Sequence, residues 1–98
     1  MRTTPDMDEV AAVLRGLLPE RAGYRAVLFG SRATGRARPA SDWDIGIIGP
    51  APLDGALRQR VRDALDDLPT LHRFDVVDLA TVPQAFRDAA LATAVRLI

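Results

Sequence analysis

Apolar residues recur along the chain with two periods, one helical and one typical of short strands. The segment that follows Thr4 and Pro5 has one apolar stripe at helical spacing, and it is formed by Met7, Val10, Ala11, Leu14, Leu17 and Leu18. Thr4 can cap this helix, Pro5 suits its first turn, and Pro19 and Gly23 end it. Residues 53–68 form a second amphipathic helix, with Leu57, Val61, Ala64, Leu65 and Leu68 on one face and with Arg58, Arg60, Arg62 and Asp63 facing water. A last helix is predicted over residues 83–94.

Three short apolar runs predict strands at residues 24–29, 43–48 and 73–79. Gly30-Ser31 ends the first run and opens a short helical turn, and the final residues, AVRLI, favour an extended piece. The order of elements is α-β-(α)-β-α-β-α. We therefore expect an α/β (α+β) fold, a small mixed sheet flanked by helices, in a single domain that spans residues 1–98.

Composition narrows the functions that this domain can have. The 98 residues carry a formal net charge of zero, so no global basic field favours direct binding of nucleic acid. No apolar run approaches the roughly 20 residues of a membrane span. The N-terminus also lacks the apolar core of a signal peptide. We expect a cytoplasmic protein that does not associate with membranes.

Missing residue types exclude several kinds of catalysis. The chain has no cysteine and one histidine, His72, which excludes thiol nucleophiles and zinc sites built on cysteines or paired histidines. All 13 basic residues are arginine, which excludes a Schiff-base lysine and the lysines of kinases and P-loops. Aspartate, in contrast, is abundant.

Two aspartates begin the second predicted strand. Side chains alternate along a strand, so Asp42 and Asp44 point the same way, about 7 Å apart at ~3.3 Å per residue, while Trp43 points into the core. Carboxylates this close prefer a cation between them, and hard oxygen ligands suit Mg²⁺. Asp75 lies within the third apolar strand and is a candidate third ligand. Asp78, three residues on, lies on the opposite face and is interpreted as structural or exposed.

Gly30-Ser31 offers a phosphate site before the two aspartates. Glycine lets a phosphate approach the backbone, the start of the following helix offers free N–H groups, and Ser31 adds a hydroxyl donor. Arg32 is the arginine nearest this site. The stretch GSRATGRA resembles a P-loop only superficially, because Arg36 replaces the lysine and Ala37 lacks the hydroxyl that binds Mg²⁺.

Gly30-Ser31, ten intervening residues and then Asp42-Trp43-Asp44 form a G-S-x10-D-x-D pattern. This pattern resembles that of the nucleotidyltransferase superfamily related to DNA polymerase beta. The stretch GSRATGRARPASDWDIGII is similar to the matching segment of its minimal nucleotidyltransferases, and RFDVVDL is similar to their third-carboxylate strand. The resemblance covers nearly the whole chain.

The resemblance implies the fold already expected, two Mg²⁺ ions, and ATP as substrate. Asp42 and Asp44 would bind both metals, and Asp75 would bind the metal at the attacking hydroxyl and help to deprotonate it. Gly30, Ser31 and Arg32 would lie at the phosphates. Many minimal members are antitoxins that add AMP to a tyrosine of a HEPN-domain toxin. The predicted function is therefore a protein adenylyltransferase and antitoxin in a hetero-oligomer with such a toxin.

Two alternatives stay open at this point. The chain could be a non-catalytic antitoxin that neutralises its partner by contact. It could also be a small-molecule adenylyltransferase subunit, of the kind that modifies antibiotics, which borrows a second domain. The motif does not identify the acceptor or the stoichiometry, and it assigns no role to Arg36 or Arg38.

Overall fold

The computed structural model describes residues 4–18 and 23–98 of the chain. Helices and strands alternate along them, in the order α1 (Met7–Leu17), β1 (Arg25–Phe29), α2 (Ser31–Thr34), β2 (Trp43–Ile48), α3 (Gly55–Asp66), β3 (Phe74–Asp78), α4 (Gln84–Ala92) and β4 (Val95–Arg96). This order matches the one predicted from the hydrophobic pattern. Among the described residues, no helix combines the length and apolar character that crossing a membrane requires.

The four strands form one mixed sheet in the order β3-β2-β1-β4. β1 pairs antiparallel with β2, and β2 pairs in parallel with β3. The final extended piece is present as the two-residue β4, which pairs antiparallel with β1. The prediction of a small mixed sheet flanked by helices is confirmed.

The sheet is packed on both faces, and alternation along β1 and β2 decides which residues each face receives. One face carries Ala26, Leu28, Trp43, Ile45 and Ile47, which pack against buried residues of α1 and α3 such as Val10, Leu14, Val61 and Leu65. The opposite face carries Val27 and Phe29, which pack with Leu79 and with Ala90 of α4. Asp44 lies between Trp43 and Ile45 and therefore belongs to the α4 face.

The start of α1 differs from the prediction. The helix begins after Asp6, whose carboxylate accepts a hydrogen bond from the Asp8 N–H at 2.9 Å. Thr4 and Pro5 precede the helix and do not form its cap and first turn. Aspartate and threonine are both good N-cap residues, so the pattern could not separate them. The predicted role of Pro19 at the other end falls outside the described residues.

Arg58 is a second difference. The helical pattern predicts that it faces water, but its guanidinium donates from Nη2 to the Val76 carbonyl of β3 at 3.0 Å. Its Nε is buried and has no partner within the described part of the chain. β3 is an edge strand, so an arginine from α3 satisfies a carbonyl at the edge of the sheet. The long side chain spans from the polar side of the helix to the sheet, which residue type alone does not reveal.

Candidate active site

Two of the three predicted carboxylates lie side by side on neighbouring strands. In the parallel pairing of β2 with β3, Asp44 is the register partner of Asp75, and both side chains are partly buried. Asp42 is exposed and lies one residue before β2 begins. The fold therefore brings together residues 31 positions apart in the chain, as the sequence predicts for a shared site.

These carboxylates influence one another electrostatically. Burial raises the pKa of the Asp44 carboxyl above its ordinary value, and the negative charges of Asp75 and then Asp42 raise it further. All three effects disfavour the ionised form of Asp44, and a cation placed among the carboxylates would oppose them.

This cluster of carboxylates has the chemistry of a Mg²⁺ site. Carboxylate oxygens are its usual protein ligands, and one or two carboxylates plus substrate phosphates commonly suffice. Within residues 4–18 and 23–98, no three aspartate, glutamate, histidine or cysteine side chains are already gathered as a metal site. The fit thus rests on the adjacent pair Asp44 and Asp75, with the exposed Asp42 near Asp44.

Gly30 packs directly against Asp44. Its φ of 74° and ψ of −154° lie in a region that is essentially restricted to glycine. A Cβ added at Gly30 would overlap a carboxylate oxygen of Asp44 and would lie 3.3 Å from its Cγ. The turn that is predicted to bind phosphate and the carboxylates that are predicted to bind metal are therefore in contact.

Ser31 begins α2, which has only four residues. The N–H groups of Ala33 and Thr34 bond to the Gly30 carbonyl, at 3.1 and 3.2 Å. Because α2 is a single turn, its macrodipole adds little, and any attraction for phosphate must come from local N–H groups and the Ser31 hydroxyl.

Arg32 is held by the loop that leads to β2. Its Nη2 donates to the carbonyls of Pro39 at 3.2 Å and Ser41 at 2.9 Å, and it lies 3.1 Å from Nδ1 of His72. Its Cζ lies 4.6 Å from the centre of the Trp43 ring. The structure thus places Arg32 beside the predicted site, and its contact with phosphate stays a prediction.

The sequence assigns no role to His72, the single histidine of the chain, but the structure gives it one. The indole N–H of Trp43 donates to Nδ1 of His72 at 3.0 Å, and the two rings meet edge to face. The signal was available in principle, because the N–H of a buried tryptophan needs an acceptor. The prediction that Trp43 itself lies in the core is confirmed, with 8% of its surface exposed.

Asp78 is structural, as predicted. It is buried, and its two carboxylate oxygens accept hydrogen bonds from the N–H groups of Leu53 at 2.8 Å and Ala80 at 3.0 Å. These bonds fix the ends of two loops, and they leave Asp78 outside the row that Asp44 and Asp75 form.

A cleft of about 690 Å³ opens beside Asp42. It is lined by Thr4, Arg32, Pro39, Ala40, Ser41, Asp42, Leu71, His72 and Arg73. A smaller apolar groove of about 260 Å³ lies beside Gly30, between Phe29 and the α4 residues Phe86, Ala89 and Ala90, and Thr93 also lines it. Asp42 therefore lines one opening and Gly30 lines the other.

The chain belongs to the nucleotidyltransferase family described as Polymerase beta, whose family model matches residues 23–98. That match includes all of the predicted site residues. The family and the class of enzyme that the G-S-x10-D-x-D pattern predicts, a nucleotidyltransferase, are confirmed.

Similar proteins include a named adenylyltransferase and chains from toxin–antitoxin complexes. The chain is 37% identical over 79 residues, 81% of its length and 67% of the relative's, to the Probable protein adenylyltransferase MntA of Haemophilus influenzae. It also resembles the crystal structure of a toxin–antitoxin complex with AMP-PNP, with a TM-score of 0.71 and 24% identity over 96% of this chain and 73% of that one. A third likeness is to a complex of a tri-AMPylated Shewanella oneidensis HEPN toxin with its MNT antitoxin, with a TM-score of 0.63 and 23% identity over 94% of this chain and 68% of that one. The fold thus recurs in complexes of the type that the sequence resemblance implied.

Proposed function

We propose that the chain transfers AMP from ATP to a hydroxyl group of a partner protein and thereby acts as an antitoxin. In this reaction the acceptor oxygen forms a bond to the α-phosphorus of ATP, the bond from that phosphorus to the bridging oxygen breaks, and pyrophosphate leaves. The observation that carries the proposal is the contact of Gly30 with Asp44 while Asp44 and Asp75 share a register position.

The two ends of this arrangement suit the two ends of a triphosphate. Gly30 has no side chain to block an approaching phosphate, and Ser31 offers a hydroxyl and a backbone N–H. We assign them to the outer phosphates. The α-phosphate then lies beside Asp42 and Asp44, because Gly30 touches Asp44.

Asp42, Asp44 and Asp75 would hold two Mg²⁺ ions. When bound, the ions supply charge neutralisation at the α-phosphate and lower the pKa of the attacking hydroxyl. Asp75 has a further role in this proposal. Its carboxylate lies on β3, the outer strand of the β2–β3 pair, and can take the proton of the attacking hydroxyl. A tyrosine hydroxyl, with an ordinary pKa of about 10, needs such help near neutral pH.

The proposed acceptor is a tyrosine of a HEPN-type toxin. Support comes from the relative named as a protein adenylyltransferase and from the similar folds found with an AMP-PNP ligand and an AMPylated toxin. The cleft beside Asp42 offers room for an acceptor side chain next to that carboxylate. We place the reaction in the cytoplasm, where ATP is plentiful.

The test is an AMP-transfer assay on the partner that co-purifies with the chain. The protein is incubated with that partner, Mg²⁺ and ATP labelled on its α-phosphate, and the assay is repeated with Asp42→Asn plus Asp44→Asn. Asp63→Asn, at an exposed position on α3, is the matched control for losing a carboxylate. We expect label on the partner with the wild type and with the control, and none with the double variant.

A toxin-neutralisation assay with the same variants distinguishes a catalytic antitoxin from one that acts by binding alone. If the double variant neutralises the toxin as completely as the wild type does, neutralisation occurs by contact and the catalytic proposal is wrong. If label appears on a small molecule and not on the partner, the small-molecule alternative replaces it.

A further inference from the structure

One guanidinium group contacts both the loop before Asp42 and the residue His72 that precedes the strand of Asp75. Arg32 lies on α2, directly after Gly30 and Ser31. Its Nη2 bonds to the carbonyls of Pro39 and Ser41, in the loop that ends at Asp42. The same Nη2 lies 3.1 Å from His72, which leads into the strand of Asp75.

Trp43 completes this cluster. Its ring lies under the guanidinium of Arg32, and its N–H bonds to the same His72 nitrogen. Because Trp43 stands between Asp42 and Asp44 in the chain, its position fixes the start of β2. We call Arg32, Trp43 and His72 together the arginine hub.

The hub requires His72 to act as an acceptor. Nε1 of Trp43 can only donate, and it lies 3.0 Å from Nδ1 of His72, so this ring nitrogen accepts the indole N–H. Nη2 of Arg32 has two hydrogens and lies within hydrogen-bond distance of three acceptors, the Pro39 and Ser41 carbonyls and the same Nδ1, so at least one hydrogen is shared. Nε of Arg32 is buried and has no partner among the described residues, so the Nη2 contacts and the Trp43 ring orient the guanidinium. A planar guanidinium can satisfy several acceptors and stack on a ring at once, which a lysine ammonium cannot.

We propose that Arg32 is a positioning residue rather than a phosphate ligand, and that His72 is its anchor. The hub sets the distance from the Gly30-Ser31 turn to the three aspartates, by tying α2, the loop before Asp42 and the start of β3 to one another. This positioning role rests on the proposed function in one respect, which is that the site binds a nucleotide. It also explains why ten residues can separate Ser31 from Asp42 without loosening the site.

The experiment compares conservative and disruptive changes at both ends of the hub. Wild type, Arg32→Lys, Arg32→Ala, His72→Leu, His72→Asn and the double variant Arg32→Ala plus His72→Leu are titrated calorimetrically with AMP-PNP in Mg²⁺. Arg60→Ala, on an exposed part of α3, is the control for losing an arginine. Thermal unfolding of each variant confirms that it is folded at the titration temperature.

A positioning role predicts a specific pattern of affinities. His72→Leu and both Arg32 variants each disturb the position of the Gly30-Ser31 turn relative to the aspartates, so each weakens nucleotide binding by about tenfold. The two changes break the same hub, so the double variant binds no more than about threefold more weakly than either single variant. His72→Asn, whose side-chain oxygen can replace Nδ1 as acceptor, stays within about threefold of the wild type. A direct phosphate ligand gives a different pattern. In that case His72→Leu binds like the wild type, and Arg32→Lys retains most of the affinity that Arg32→Ala loses. This result would overturn the proposal.

Trp43 gives an independent measurement, since it is the single tryptophan of the chain. Without nucleotide, we expect His72→Leu and Arg32→Ala to shift its emission to longer wavelength, and His72→Asn to leave it in place. Identical spectra for all variants would refute the hub. If the wild type does not bind AMP-PNP, the proposed function fails, and these spectra still decide whether the hub exists.

Discussion

Replacing Gly30 with alanine changes the backbone and the position of Asp44 at the same time. The backbone of Gly30 has φ 74° and ψ −154°, a conformation that costs a residue with a side chain about 1–3 kcal/mol. The new Cβ would also overlap an oxygen of Asp44 and lie 3.3 Å from its Cγ. The carboxylate can rotate away, but it then leaves the place from which it faces Asp75.

Gly35 is the matched control. It also has a positive φ, of 78°, with ψ 11°, but a Cβ there meets no atom within 4 Å. Alanine at Gly35 costs about 1–2 kcal/mol for the left-handed conformation and moves nothing in the site. The difference between the two variants therefore isolates the effect on Asp44.

Chemical denaturation and nucleotide titration measure the two effects separately. For Gly30→Ala we expect the free energy of unfolding to fall by about 2 kcal/mol, which lowers Tm by roughly 8–16 °C in a domain of this size. We also expect AMP-PNP in Mg²⁺ to bind at least about tenfold more weakly, because the carboxylate is misplaced. Gly35→Ala should lose about 1–2 kcal/mol of stability but bind within about threefold of the wild type. Equal nucleotide affinities for the two variants would refute the reasoning.

Two further predictions concern Asp44 and Asp78. Burial and the charges of Asp75 and Asp42 raise the pKa of the Asp44 carboxyl, so its ionised form costs stability at neutral pH. This cost shrinks once the pH falls below the raised pKa and is gone below the ordinary pKa of an aspartate. Asp44→Asn should therefore raise the free energy of unfolding by up to about 1 kcal/mol at pH 7 without Mg²⁺, and this gain should vanish in acid. Urea unfolding of the variant and the wild type at several pH values measures the difference. An unchanged or lower stability of the variant at pH 7 would contradict the prediction. Asp78→Asn should lower the free energy of unfolding by about 1–3 kcal/mol, because one of the two backbone N–H groups that Asp78 binds loses its acceptor. Calorimetry should show unchanged AMP-PNP binding. A parallel loss of affinity would place Asp78 in the site.

The strands were predictable because their signals are local. The second strand has the predicted bounds, and the first and third are one residue shorter at one or both ends than the apolar runs. Gly30 and the Gly49-Pro50 pair mark where two of these runs stop. The G-S-x10-D-x-D pattern is likewise contained in one segment, so it indicated the family without any knowledge of the sheet.

Long-range contacts account for what the sequence did not reveal. Arg58 bonds to a carbonyl 18 residues away and His72 to a tryptophan 29 residues away, and both contacts exist only after β3 has paired with β2. The adjacency of Asp44 and Asp75 depends on the same pairing. A pattern along the chain could identify these residues as polar, but it could not show which partner each one has.

The central claim is that aspartates from two strands act as one catalytic site, and Asp75→Asn tests it most directly. The variant and the wild type are each incubated with the co-purified partner, Mg²⁺ and ATP, and the partner's intact mass is followed with time. We predict that Asp75→Asn still binds AMP-PNP within about tenfold of the wild type and transfers AMP at least ~100-fold more slowly, because the proton acceptor is lost. Transfer at a rate within about threefold of the wild type would contradict the account.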